Sequence, residues 1–373
     1  MSEQREWTRR EFLELFSKGT GIVMGASLFS IPGFQKVFAQ SVQEVPVVWL
    51  QGGCCSGCSV SLLNAESPSI SELLLGEVVP GKHINLLWHP NVSASQGHHF
   101  LEIVDAVMKR PAGSFVLVVE GTVETGEGGV YCEVGERNGK PVTFMQHVLD
   151  LAPRAMAVLA VGTCAAFGGI PAAPPNPTGS KSVKAFLDEH GIATPVVNIS
   201  GCPPHPDWFI GTVATVLIGG LEMVKVDQHG RPLAFYGKLI HDNCPRRGQF
   251  DQGMFAKDFG EDGCLYKLGC KGPVTHSDCP IRKWNGGVNW IIGSGHPCMG
   301  CVEPIFPYGM DVFEVVPIHG TTAPTTYPGI VTEKPSTVDP LVTGVVGAAV
   351  GAAATAAAMA MKKTPKEDRK EAS

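Results

Sequence analysis

The sequence predicts an α/β fold: a doubly wound parallel-sheet domain, then an irregular segment held together by cofactors, then a C-terminal transmembrane helix. Three observations carry this. Up to about residue 223, short apolar runs rich in β-branched residues alternate with stretches long enough for crossover helices. Beyond Val224 the long periodic segments give way to loops rich in Gly, Pro and Cys, which can hardly build a core from side chains alone. Near the C-terminus runs an uncharged stretch of membrane-spanning length. At 373 residues, 44% hydrophobic and 17% charged, the chain has the length of roughly two or three structural units and ample apolar material for their cores. A net charge of -6 gives no electrostatic reason to expect a nucleic-acid partner.

Residues 1–39 read as a twin-arginine export signal. Thr8-Arg9-Arg10-Glu11-Phe12-Leu13 precedes an apolar run from Gly19 to Ile31, and Val37-Phe38-Ala39 offers small residues for cleavage before Gln40. This route carries proteins already folded, which protects thiols that would otherwise oxidise outside the cytoplasm.

Residues 40–223 hold the predicted sheet. Val47 to Leu50, Phe115 to Glu120, Ala157 to Val161 and Val196 to Ile199 read as buried parallel strands, and Gly211 to Leu221 as a buried helix too short to span a membrane. Such sheets bind ligands beyond the carboxyl ends of their strands. Three of the four runs are followed closely by cysteine: Cys54, Cys55 and Cys58 after the first, Cys164 after the third, Cys202 after the fourth. A Cys-x-x-Cys pair such as Cys55 and Cys58 is weak evidence alone. Its convergence with Cys164 and Cys202 at one sheet edge favours four soft thiolates around a 4Fe-4S cluster, with a four-cysteine zinc site as the alternative.

In residues 224–320, His241-x-x-Cys244 with Cys264 and Cys270 supplies one nitrogen and three sulfur ligands. Cys279, Cys298 and Cys301 follow, with no cysteine further on. Three thiolates suit a 3Fe-4S cluster or a larger one with an unusual fourth ligand. An FMN site at the same sheet edge would leave these cysteine groups unexplained, and Gly126-Glu127-Gly128-Gly129 carries an acidic residue where phosphate would need donors.

Residues 321–340 read as a linker. Leu341 to Met361 gives 21 uncharged residues, which at about 1.5 Å per residue cross a hydrocarbon core of about 30 Å. Gly347 and Gly351, four apart, would allow another helix to approach closely. Lys362, Lys363, Lys366, Arg369 and Lys370 make residues 362–373 a cytoplasmic tail by the positive-inside rule, leaving the main body on the periplasmic side, as the export signal also implies.

Several motifs then occur in order: Gly53-Cys54-Cys55-Ser56-Gly57-Cys58-Ser59-Val60-Ser61-Leu62-Leu63, Gly162-Thr163-Cys164-Ala165, Pro175-Asn176-Pro177-Thr178-Gly179, Gly201-Cys202-Pro203-Pro204, Cys264-Leu265-Tyr266-Lys267-Leu268-Gly269-Cys270-Lys271-Gly272-Pro273 and Gly295-His296-Pro297-Cys298-Met299-Gly300-Cys301. Between about Val47 and Pro307 the chain resembles the small subunit of membrane-bound nickel-iron uptake hydrogenases. The resemblance implies a flavodoxin-like N-terminal domain with a proximal 4Fe-4S cluster on Cys55, Cys58, Cys164 and Cys202. It implies a distal 4Fe-4S cluster on His241, Cys244, Cys264 and Cys270, and a medial 3Fe-4S cluster on Cys279, Cys298 and Cys301. The expected role is electron transfer from hydrogen oxidation, at a nickel-iron site in a separate large subunit, to a membrane quinone-reducing or cytochrome b-type subunit. This chain itself would carry no catalytic residue.

Departures from the family pattern sharpen the expectation. Oxygen-tolerant relatives carry extra cysteines at the positions of Gly57 and Gly169, so a conventional proximal cluster is expected here. The family usually has Pro after the Asn-Trp pair, and nickel-iron-selenium relatives can carry a fourth medial Cys there. This chain has Asn289-Trp290-Ile291, and isoleucine cannot ligate iron. Cys54, where family members often carry Glu, and Cys132 are expected to be buried or loop thiols.

Overall fold

The computed structural model describes residues 43–76 and 82–318. The expected signal (1–39), linker (321–340), transmembrane helix (341–361) and tail (362–373) lie outside them. Among the described residues no helix is long and apolar enough to cross a membrane.

Five parallel strands form the central sheet: β1 (Gln43–Gln51), β2 (Lys82–Trp88), β3 (Val116–Glu120), β4 (Ala157–Val161) and β5 (Val196–Ile199). Their spatial order is β2-β1-β3-β4-β5, the flavodoxin-like doubly wound order, with the reversal of direction between β1 and β3. All four expected strands are present. The fifth, β2, is an edge strand that the apolar pattern did not reveal.

Continuous apolar runs arise because both sheet faces are covered. Val47, Trp49, Val116, Val118, Leu159 and Ile199 point to one face, which packs against α1 (Gly57–Leu62), α2 (Ile70–Leu75) and α7 (Pro206–Gly219). Val48, Leu50, Leu117, Val119, Val158 and Ala160 point to the other, under α3 (His98–Met108), α4 (Phe144–Leu151), α5 (Thr163–Phe167) and α6 (Val183–Glu189). Each fully buried aliphatic side chain of this kind contributes about 1.5–3 kcal/mol. The apolar run at Gly211 to Leu221 does form a largely buried helix, α7. It starts earlier than expected, because Pro206 suits the first helical position and His205 Nδ1 accepts the Asp207 backbone N–H at 3.1 Å.

After α7 the regular elements are short: α8 (Leu233–Tyr236), α9 (Ile240–Asn243), α10 (Arg247–Asp251) and α11 (Cys279–Arg282). This segment adds to the α7-side core rather than forming its own. Tyr236, Ile240, Leu265, Trp290, Ile292 and Val302 belong to the same apolar cluster as Val47 and Trp208. Polar ties reinforce the join. The Trp208 indole donates to Asp278 at 2.7 Å, the Tyr236 hydroxyl to the Ser200 carbonyl at 2.6 Å, and fully buried Arg231 to Asp227 at 2.8 Å and Glu303 at 3.2 Å.

Candidate metal centres

The first centre sits at the switch point between β1 and β3, extended by the ends of β4 and β5. Cys55 and Cys58 lie on the turn from β1 into α1, where Ser56 adopts a left-handed conformation (φ 61). Cys164 opens α5 after β4, and Cys202 follows β5. The sulfur of Cys58 senses the charges of Cys164, Cys202 and Cys55, so the four expected ligands converge. Gly162 makes room for them: a Cβ there would lie 2.4 Å from Cys58 Sγ, at a backbone conformation (φ 92, ψ 156) open essentially to glycine alone.

Of the four strand ends that border this centre, only that of β3 carries no cysteine, and its last residue, Glu120, is fully buried at the same crevice. Its carboxylate accepts hydrogen bonds from Trp49 Nε1 (3.0 Å), Gln51 Nε2 (2.9 Å), the Ser59 hydroxyl and the backbone N–H groups of Cys58 (3.1 Å) and Ser59 (3.2 Å). Every partner donates, and the two carboxylate oxygens accept them all. Glu120 therefore fixes the turn that presents Cys58. Sequence reasoning missed it, although a buried apolar run that ends in an acidic residue at a sheet's carboxyl edge is a readable signal.

The second centre is a small cavity whose lining includes His241, Cys244, Cys264 and Cys270. His241 and Cys244 stand at one-turn spacing along and just past α9. The Nε2 atom of His241 is buried and has no hydrogen-bond partner, an arrangement suited to a metal ligand. Burial, then the Arg247 charge, pushes the imidazole down to about 4, so it is neutral and able to ligate at pH 7.

The third group lies between the other two. Cys298 senses Cys270 of the second centre as well as Cys301 and Cys279, whereas Cys301 senses Cys279 and also Cys202 of the first. Cys279 Sγ accepts from the Ser277 hydroxyl at 2.9 Å, and Cys298 Sγ from the Gly300 N–H at 3.4 Å. Ile291 packs against the apolar core. Between the second and third groups lies Lys271, fully buried; its N–H donates to the Cys298 carbonyl at 2.7 Å and its ammonium to the carbonyls of Asp311 (2.7 Å) and Glu314.

The donor chemistry suits iron-sulfur clusters. As bare thiols these groups are held protonated: burial pushes Cys164 and Cys264 up to about 11, and Cys244 and Cys301 up to about 12. Bound iron reverses that balance and deprotonates its thiol ligands. Among the described residues no three or more His, Cys, Asp or Glu side chains are grouped to hold a single metal ion. A cluster distributes its thiolates over separate iron atoms and takes a wider cage than zinc does.

The two remaining thiols border the first centre: Cys54 senses Cys55, and Cys132 senses Cys54. Burial pushes Cys54 up to about 11 and Cys132 up to about 12, so neither is a ready nucleophile. A Cβ on Gly57 would lie 3.0 Å from Cys55 Sγ, and one on Gly169 would lie 3.1 Å from Cys164 Sγ, so both glycines border ligands of the first centre. A larger cavity, about 220 Å³ and mostly aliphatic, lies on the α7-side face beside the cysteine edge.

Two known families match. The family described as the C-terminal part of the NiFe/NiFeSe hydrogenase small subunit matches residues 236–314, and that described as the 20 Kd subunit of NADH ubiquinone oxidoreductase matches residues 55–216. The chain is 44% identical to the periplasmic [NiFeSe] hydrogenase small subunit of Desulfomicrobium baculatum, over 83% of this chain and 98% of that one. It is 34% identical to the quinone-reactive Ni/Fe-hydrogenase small chain of Wolinella succinogenes, over 90% and 91%. Among solved structures, the oxidised [NiFeSe] hydrogenase of Desulfovibrio vulgaris Hildenborough aligns with a TM-score of 0.69 at 47% identity, covering 74% of this chain and 98% of that one.

Proposed function

The chain belongs to the small subunits of nickel-iron hydrogenases, which pair with a large subunit that holds the active site, and from that premise we propose that it relays electrons through three clusters toward a membrane quinone-reducing or cytochrome b-type subunit. Cys55, Cys58, Cys164 and Cys202 would hold a proximal 4Fe-4S cluster. Cys279, Cys298 and Cys301 would hold a medial 3Fe-4S cluster, and His241, Cys244, Cys264 and Cys270 a distal 4Fe-4S cluster. The clusters supply one-electron carriers; the protein supplies ligation, spacing and control of potential through burial, hydrogen bonds and charge. A neutral imidazole in place of a thiolate at His241 makes the distal potential less negative, which suits an electron exit.

The observation that carries this reading is the position of the third cysteine group. The Cys298 N–H donates to Cys270 Sγ at 3.4 Å and the hydroxyl of Thr163, beside Cys164, donates to the Cys301 carbonyl, contacts that support a series of three sets. The fully loaded chain should hold about 11 iron atoms and show the paramagnetic signal of an oxidised 3Fe-4S centre. One iron more without that signal would mean a fourth medial ligand.

The membrane-side partner is supported by the quinone-reactive Wolinella relative and by the apolar stretch at Leu341 to Met361. With that stretch spanning once, the body lies on the periplasmic side and the lysine-rich tail in the cytoplasm. Truncation before Leu341 should release a soluble complex that oxidises hydrogen with an artificial acceptor and no longer reduces quinone. A truncated complex that stays membrane-bound and quinone-active would refute the anchor.

A further inference from the structure

The ligand sets meet at two places. Between the second and third groups, the backbone N–H of Cys298 donates to Cys270 Sγ at 3.4 Å. Between the first and third, the side chain of Thr163, next to Cys164, reaches the backbone of Cys301.

At the first junction one hydroxyl fastens the backbone. Thr163, immediately before Cys164, is 1% exposed. Its Oγ1 accepts the Gly201 N–H at 2.9 Å and donates to the carbonyl of Cys301. Its own N–H donates to the Gly201 carbonyl at 2.8 Å. The residue before Cys164, the residue before Cys202 and the ligand Cys301 are therefore held by a single side chain. Ser200 adds a parallel tie to the Val302 carbonyl at 2.8 Å.

We propose that Thr163 is a positioning residue for electron transfer, holding the Cys301 loop against the Gly201–Cys202 backbone and so setting both the coupling between proximal and medial sites and the potential of the medial one. This rests on the ligand sets proposed above. Backbone N–H groups held close to a cluster's sulfurs favour its more negative, reduced state and raise the potential. Thr163→Val keeps the shape but removes both hydroxyl bonds, leaving the buried Gly201 N–H and Cys301 carbonyl unpaired, a cost that the Cys301 loop relieves by moving away.

The test uses the complete complex with wild-type, Thr163→Val and Thr163→Ser small subunits. Redox titration followed by electron paramagnetic resonance reads each potential, and rapid mixing with hydrogen reads medial reduction. In the valine variant the medial potential should move negative and medial reduction should slow several-fold. The distal potential and the iron content should stay unchanged, and serine should restore wild-type behaviour. If the valine variant does not accumulate, Thr163→Ala, which leaves space for a water to satisfy the stranded groups, should give the same two shifts. Wild-type potential and rate in a fully loaded valine or alanine variant would overturn the role of Thr163. A wild-type complex lacking the three-iron signal would instead overturn the medial assignment, and this inference with it.

Discussion

Replacing Gly162 by alanine should empty the first centre and leave the other two loaded. The backbone at Gly162 (φ 92, ψ 156) lies in a region that costs other residues on the order of 1–3 kcal/mol. The larger effect is steric. The new Cβ would stand 2.4 Å from Cys58 Sγ, more than about 1 Å inside ordinary contact distance for carbon. Its other neighbours, the Gly201 carbonyl at 3.7 Å and Cys58 Cβ at 3.9 Å, are comfortable, so relief comes only from displacing that sulfur. Metal sites tolerate ligand displacements of about 0.2 Å. Iron should therefore fall from about 11 to about 7 atoms per complex, with medial and distal signals retained. Gly191→Ala is the control. That glycine also has positive φ (65°), but nothing lies within 4 Å of its would-be Cβ, so it should retain all its iron. Iron and acid-labile sulfide assays with paramagnetic resonance decide the matter, and a fully loaded Gly162→Ala complex with an unchanged proximal signal would refute the reasoning.

Three further outcomes are expected. Lys271→Met removes a buried ammonium whose charge reaches Cys270 and Cys298, so the distal and medial potentials should both move negative in a redox titration, and residues 311–318 should be cut faster by protease; unchanged potentials would count against the charge effect. Burial holds the His147 imidazole below its ordinary pKa, and while its Nε2 bonds the Val134 carbonyl at 2.7 Å, its buried Nδ1 has no partner for a second proton. The unfolded chain thus binds that proton more readily, so its contribution to stability is present above the ordinary histidine pKa of about 6.5 and is lost as pH falls below it; the thermal midpoint should drop less on acidification in His147→Gln than in wild type. With glycine at 57 and 169, the complex should be inhibited by oxygen pulses in film voltammetry under hydrogen and recover slowly; sustained current that disappears in Cys54→Ser would show that Cys54 supplies the missing thiolate.

The sheet was legible because parallel strands buried on both faces must be apolar at consecutive positions, as at Val116 to Val119. The edge strand β2 was not, since only Ile84 and Trp88 of its seven residues are buried and Lys82, His83 and Asn85 interrupt the run. Cysteine spacing marked the candidate ligands in the same direct way, because a soft sulfur donor is written in the residue type. Glu120, Thr163 and Lys271 escaped notice because their roles depend on what faces them across the fold: the Cys58 amide, the Cys301 carbonyl and the carbonyls of Asp311 and Glu314 are distant in sequence. The spatial order proposed for the three groups differs from their order along the chain, where the group of His241 precedes that of Cys279, and only the resemblance to hydrogenase small subunits supplied it.

The apolar cluster that runs from Val47 through Trp208 to Val302 has a consequence for biogenesis. A ribosome releases the sheet well before Trp290, Ile292 and Val302 emerge, so the early part of the chain waits with its α7-side surface uncovered. The last segment thus folds onto a surface that the sheet has already presented, and burial of each depends on the other.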